Sequence, residues 1–215
     1  NGAEAAVDNS RRAFLLSAAA VTAGAALAQA EKKVDGGLAA IEDKQIPERK
    51  GRLVPPGAQS ARHLAQHCTA CQLCISACPN GVLRPSTELD TLMQPVMQYE
   101  RGYCRPECNR CSEVCPNDAI RLIDLAEKSS IKIGTARIIK DNCLTAKGTP
   151  CGNCARHCPV GAIHMVKANP DDPECVATPY VDPECCIGCG ACENLCPVRP
   201  LSAIIVDGID QHRTI

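Results

Sequence analysis

Apolar positions along this chain come in short bursts, not in long periodic stretches. Ala119-Ile120-Arg121-Leu122-Ile123, Ala162-Ile163-His164-Met165-Val166 and Ala203-Ile204-Ile205-Val206 are brief runs rich in Ile and Val. Their length and composition predict short strands. Val82-Leu83 is a weaker run of the same kind, and Ala136-Arg137-Ile138-Ile139 predicts a further strand. One longer apolar stretch, weakly hydrophobic and Ala-rich, runs from Ala13 to Ala26. It is near the lower limit for spanning a bilayer. A stretch rich in Lys, Glu, Gly and Pro follows from Glu31 to about Gly57, and reads as an extended tether. The chain therefore divides into a leader over 1–30, a linker over 31–60, a body over 61–207 and a C-terminal tail over 208–215.

Composition changes the picture of the body. The 215 residues include no Trp, one Phe (Phe14) and three Tyr, but eighteen Cys. Aromatic side chains usually supply much of a core's buried area. A metal-centred core is one substitute, because bound metal contributes folding energy directly. The formal net charge is −1, without the basic surplus of a nucleic-acid binder. That count treats every Cys as neutral. Each bound iron–sulfur cluster would add about two negative charges when oxidised.

The cysteines repeat. The first motif is Cys68-x2-Cys71-x2-Cys74-x3-Cys78-Pro79 and the second Cys104-x3-Cys108-x2-Cys111-x3-Cys115-Pro116. The third is Cys143-x7-Cys151-x2-Cys154-x3-Cys158-Pro159 and the fourth Cys186-x2-Cys189-x2-Cys192-x3-Cys196-Pro197. Every copy ends in Cys-x2-Cys-x3-Cys-Pro, and the first and fourth have the bacterial ferredoxin spacing for [4Fe–4S] clusters. Closely spaced Cys let one turn of backbone curl around a cube of iron and sulfide, with three thiolates reaching three iron corners. The fourth Cys lies one helical turn further on, faces away, and ligates a neighbouring cluster. Pro then stops the helix and starts an extended segment. Sixteen cysteines thus predict four [4Fe–4S] clusters.

Other chemistries were weighed against clusters. Exported cysteines usually form disulfides, but Cys two or three residues apart pair poorly, and disulfide frameworks do not repeat one spacing with a terminal Pro. Zinc sites often use two separated Cys-x2-Cys pairs, whereas four thiols arrive together here and no recurring His joins them. Cys175 and Cys185 are left over. Cys185 is an alternative to Cys186 as ligand, although Cys186 reproduces the spacing of the first motif. A Cys175–Cys185 disulfide needs Cα atoms within about 7 Å. His67 and His157 adjoin cysteines but show no ligand pattern, and Arg101, Arg105 and Arg110 around the second motif read as a solvated face. No phosphate-binding Gly loop, Ser-His-Asp set or pair of catalytic carboxylates stands out. With four thiolates per cluster there is no open coordination position, so the expectation is an electron carrier and not an enzyme.

The leader carries its own signal. Ser10-Arg11-Arg12-Ala13-Phe14-Leu15-Leu16 resembles the twin-arginine export motif, and Ala28-Gln29-Ala30 offers small residues for cleavage before Glu31. The twin-arginine route carries folded proteins, so clusters would be built where thiols are kept reduced and then delivered to the periplasm.

Taken together, the chain resembles the four-cluster polyferredoxins of the NapG and MauM ferredoxin-type family over about residues 52–207. The features that carry the likeness are Arg11-Arg12, Val54-Pro55-Pro56-Gly57 before the first motif, and the long gap between Cys143 and Cys151. The resemblance implies an α+β fold of two ferredoxin-like dicluster modules, with short helices and small antiparallel hairpins packed around the clusters. It also implies a crossed arrangement, in which Cys68, Cys71 and Cys74 join Cys196, and Cys186, Cys189 and Cys192 join Cys78. Cys104, Cys108 and Cys111 would then join Cys158, and Cys143, Cys151 and Cys154 would join Cys115. Spacing alone leaves open the simpler pairing of neighbouring motifs, which Cys78 close to Cys108 and Cys111 would mark.

The resemblance implies single-electron transfer between a membrane quinol-oxidising or quinone-reducing partner and a periplasmic reductase or cytochrome. Two alternatives remain at this point. One is a tightly bound iron–sulfur subunit of a molybdenum or tungsten oxidoreductase complex. The other is a zinc-bound structural or interaction protein.

Overall fold

The computed structural model describes residues 42–215. The leader, with the Arg11-Arg12 motif, lies outside the described residues.

Among the described residues, six short α-helices and six strands follow one another along the chain. Helix α1 (Ala61–His67) starts at Ser60, whose hydroxyl accepts the His63 N–H at 2.9 Å, one of the donors a helix start leaves orphaned. Helices α2 (Leu73–Ala77), α3 (Arg110–Glu113), α5 (Asn153–Arg156) and α6 (Ala191–Asn194) each carry the third Cys of one motif. Helix α4 (Leu125–Lys128) follows the second motif.

The strands form three two-stranded antiparallel sheets. Strand β1 (Leu83–Pro85) pairs with β2 (Pro95–Met97), with Leu83 opposite Met97. Strand β4 (Ile163–Val166) pairs with β5 (Thr178–Val181), with Ile163 opposite Val181. Strand β3 (Ile131–Ile138) pairs with β6 (Ile204–Thr214), from Ile138 opposite Ile204 to Ile131 opposite Thr214. A register shift between Lys132 and Gly134 interrupts that ladder, a local bulge.

Strands are present where Leu83, Ile138, Ile163 and Ile204 predict them. The run Ala119–Ile123 is not one. Ala119, Ile120 and Ile123 are buried, but their segment has no ladder partner. The Ile120 N–H donates to the Cys115 sulfur at 3.3 Å, that of Arg121 to the Gly57 carbonyl at 3.0 Å, and that of Ile123 to the Ser112 hydroxyl at 3.5 Å. Burial supplies the apolar pattern here, and side chains and a neighbouring loop take the hydrogen bonds.

Two boundaries also differ from the sequence reading. Lys44–Ile215 form one compact unit, so residues 44–60 are not a tether. Leu53 and Val54 are fully buried, the Leu53 carbonyl accepts the Met97 N–H at 2.9 Å, and the Gln45 N–H donates to the Pro200 carbonyl at 2.9 Å. The Pro-rich stretch is a core strap, and the Lys44 and Arg49 side chains are taken up by partners elsewhere in the fold. Residues 208–215 are likewise no tail, because β6 continues to Thr214 and the Ile215 N–H reaches the Ser130 carbonyl at 2.9 Å.

Among the described residues the core is aliphatic, built from residues such as Leu53, Leu64, Val82, Met97, Ile120, Ile205 and Val206 around one fully buried aromatic, Tyr99. The Tyr99 hydroxyl donates to the Gly188 carbonyl at 2.7 Å, as a buried phenol must do to recover its lost hydration. Its ring lies against Gly190, which has φ +82, and a Cβ there would sit 2.3 Å from ring atoms. Gly190→Ala therefore combines a left-handed backbone with overpacking. We expect it to destabilise the protein by about 2–3 kcal/mol. Anaerobic denaturant unfolding measures this, and an unchanged midpoint would contradict the packing described.

Candidate iron–sulfur sites

Each motif folds locally for a reason visible in its backbone. In the first, Ala70 and Gln72 adopt positive φ (55 and 63). This curls the loop so that Cys68, Cys71 and Cys74 are presented from one short stretch of chain. The equivalent positions in the fourth motif are Gly188 and Gly190, with φ 81 and 82. Glycine reaches that conformation without strain. The first motif makes the same turn with side-chain-bearing residues, at a cost of about 1–3 kcal/mol each. Cys78 then stands at the C-cap of α2 with extended backbone (φ −74, ψ 105), just before Pro79.

The structure brings the thiols together in quartets. One cavity is lined by Cys78, Cys104, Cys108 and Cys111, with Val82, Leu83, Met97 and Pro55 among its walls. A second is lined by Cys158, Cys186, Cys189 and Cys192. A third is lined by Cys143, Cys151, Cys154 and Cys196. The remaining quartet is Cys68, Cys71, Cys74 and Cys115: burial, then the charges of Cys68, Cys115 and Cys71, push the Cys74 thiol up to about 11.

This overturns the crossed arrangement. The fourth Cys of each motif goes to its sequence neighbour, one with two and three with four. The reason is helix packing: α2 lies on α3 and α5 on α6. A fourth Cys at the end of one helix can only enter the site held by the helix beside it.

Burial raises five further thiols. Cys111 and Cys189 are pushed up to about 12 and Cys154 to about 11, and Cys104 and Cys192 also rise. Nearby thiols add to this across sites: Cys74 acts on Cys111, Cys104 on Cys189, and Cys154 on Cys192. Metal-free, these groups hold their protons at neutral pH, so metal must displace protons to bind.

Hydrogen bonds already point at the sulfurs. Main-chain N–H groups donate from Ala70 to Cys68 (3.4 Å), Ala136 to Cys186 (3.4 Å) and Ala162 to Cys158 (3.2 Å). The Thr145 hydroxyl lies 3.1 Å from the Cys143 sulfur. Donors of this kind stabilise thiolate charge and tune what it binds.

The donor chemistry fits iron–sulfur clusters. All four side chains of each quartet are soft thiols, and three of the quartets line a cavity. Among the described residues no three His, Cys, Asp or Glu side chains converge tightly enough to hold a single ion. Cys175 and Cys185 are both free thiols in this structure, so the disulfide allowed for between them is not formed. Cys186 lines a cavity, whereas Cys185 is exposed and bonded to Asp182, which raises its pKa. His67 and His157 turn their Nδ1 atoms to the main-chain oxygens of His63 (2.9 Å) and Asn153 (2.8 Å). Sequence reasoning missed Lys128, whose short helix carries no motif and whose side chain reaches the second motif only through the fold.

Paired thiol quartets on short helices and small antiparallel sheets define an iron–sulfur electron carrier built from dicluster ferredoxin domains, and not an enzyme. The 4Fe-4S dicluster domain family matches residues 103–162 and 147–199. The chain belongs to the MauM and NapG family of ferredoxin-type proteins. It is 30% identical over 166 residues to the methylamine utilization ferredoxin-type protein MauM of Paracoccus denitrificans, covering 74% of this chain and 73% of that one. It is 29% identical over 175 residues to the ferredoxin-type protein NapG of Escherichia coli K12, covering 75% of each. The ferredoxin-type protein NapF of Escherichia coli K12 is 24% identical over 172 residues, covering 80% of this chain and 96% of that one.

Proposed function

We propose that this chain carries single electrons through four [4Fe–4S] clusters in series, between a membrane quinol- or quinone-linked partner and a periplasmic redox enzyme or cytochrome. The observation that carries the reading is the gathering of sixteen cysteines into four quartets. When bound, such clusters supply one-electron redox chemistry at potentials the protein sets.

The chain's own residues do the rest. Four thiolates would hold each group, the N–H donors of Ala70, Ala136 and Ala162 would orient and stabilise the sulfurs, and aliphatic walls line the second, third and fourth sites. The order of sites follows from which thiols are neighbours. Cys74 with Cys111 joins the first site to the second, and Cys192 with Cys154 joins the fourth to the third. Cys104 and Cys189 join the two modules: the Cys104 N–H donates to the Cys189 carbonyl at 2.9 Å. The series runs first, second, fourth, third, so the sites of the first and third motifs are its ends and would meet the partners.

Anaerobic purification with iron analysis tests the cofactor content. The expected result is about sixteen irons per chain, with electron paramagnetic resonance signals of reduced cubane clusters. Zinc in place of iron, or iron for fewer than four clusters, overturns the reading.

Delivery to the periplasm rests on Arg11-Arg12 and the apolar run behind them. Replacing both arginines by lysine is expected to leave the protein in the cytoplasm with its clusters intact. Cell fractionation reads this out, and undiminished export of the variant would refute twin-arginine delivery.

A further inference from the structure

A buried cation sits against one of the four quartets. Lys128 ends α4 and is only 5% exposed. Lysine is almost never buried to this degree without a partner of opposite charge, yet among the described residues Lys128 makes no ion pair. Its ammonium instead donates to the carbonyl of Arg105 at 2.5 Å and to that of Cys108. Both bonds go to the loop that carries Cys104 and Cys108.

The motif explains why a cation is seated here. The first and fourth motifs place two residues between their first two cysteines, with Ala70 or Gly188 at positive φ. The second places three, Arg105-Pro106-Glu107. The Arg105 carbonyl of that stretch and the carbonyl of Cys108 after it are both taken by Lys128 of α4. The same loop begins at Cys104, the residue whose main chain contacts Cys189 across the module junction.

We propose that Lys128 is a positioning residue that raises the reduction potential of the cluster held by Cys78, Cys104, Cys108 and Cys111. Reduction adds a negative charge to the cluster. A fixed positive charge hydrogen-bonded to the carbonyl of the ligand residue Cys108 favours the reduced form, and burial leaves that charge little screened. Lys128 thereby makes the second site an electron-holding station just before the junction with the fourth. This rests on the four-cluster reading above, and is judged on variant against wild type, so its failure leaves that reading untouched.

The test is an anaerobic potentiometric titration of the full chain, followed by electron paramagnetic resonance, for wild type, Lys128→Gln and Lys128→Arg. Glutamine keeps donors for the loop carbonyls and removes the charge. Expected is wild-type iron content in both variants. One midpoint falls in Lys128→Gln by at least a tenfold shift in its reduction equilibrium, about 59 mV for one electron. The other three stay in place, and Lys128→Arg restores the wild-type midpoint. Four unmoved midpoints in Lys128→Gln would overturn the proposal. So would all four drifting together, or the loss of one cluster's iron in both variants, which would make Lys128 a purely structural brace.

Discussion

Cys78→Ser is expected to remove the cluster built by the second motif and to spare the one built by its own. Iron should fall from about sixteen to about twelve per chain. Which cluster is lost is the informative part, and double variants read it out. If Cys78 completes the quartet of Cys104, Cys108 and Cys111, as their shared cavity shows, then Cys78→Ser added to Cys108→Ser costs no further iron. Added to Cys189→Ser it costs a second cluster. Residues acting on one site are non-additive, while those acting on separate sites add. The crossed arrangement demands the opposite pattern, with Cys78 non-additive to Cys189 and additive to Cys108. Cys115→Ser is the mirror experiment: its partners are Cys68, Cys71 and Cys74. Iron analysis of these few variants decides the pairing without any need to assign individual spectra.

Glu193→Ala is expected to destabilise the protein by about 3–5 kcal/mol, the cost of leaving a buried charge without its partner. Glu193 lies in α6 with its side chain 3% exposed. Its two carboxylate oxygens take the Arg49 guanidinium at 2.8 and 2.7 Å, and one also accepts the Val206 N–H at 2.8 Å. Burial works against the Arg49 charge, but the Glu193 hydrogen bond and charge outweigh it and hold its pKa raised. Arg49 also stacks over the Tyr99 ring at 5.3 Å. Truncating Glu193 strands Arg49, orphans the Val206 N–H and loosens the 44–58 strap where it crosses the second module. Replacing the pair by apolar residues, Arg49→Met with Glu193→Leu, should recover much of the loss. Anaerobic unfolding of the single and double variants measures this. A single-variant cost below about 1 kcal/mol would mean that the pair is solvated and the strap held by other contacts.

The two cases differ in how visible they are along the chain. The cysteine repeat announces itself at fixed short intervals. Arg49 and Glu193 are separated by most of the protein, and nothing near either residue marks it as buried. The strap shows the same gap in understanding: Lys44 and Arg49 read as solvent-loving linker residues. In the fold the Lys44 ammonium donates to the carbonyls of Glu193 and Asn194, and burial lowers its pKa to about 8. Ala119–Ile123 differs in the other direction: its apolar run reads as a strand, while the pattern there encodes only burial.

By itself the sequence determined the thiol chemistry, the iron–sulfur class, and the triplets such as Cys68, Cys71 and Cys74, because a triplet is closed by a few residues of backbone whose turns are local. Only the tertiary structure decided which fourth cysteine completes each quartet, where Lys128 and Glu193 place their charges, and that residues 44–60 and 208–215 are built into the body. Those outcomes depend on which helix packs beside which. That choice is made by burial summed over the whole core, and it leaves no mark at any single stretch of chain.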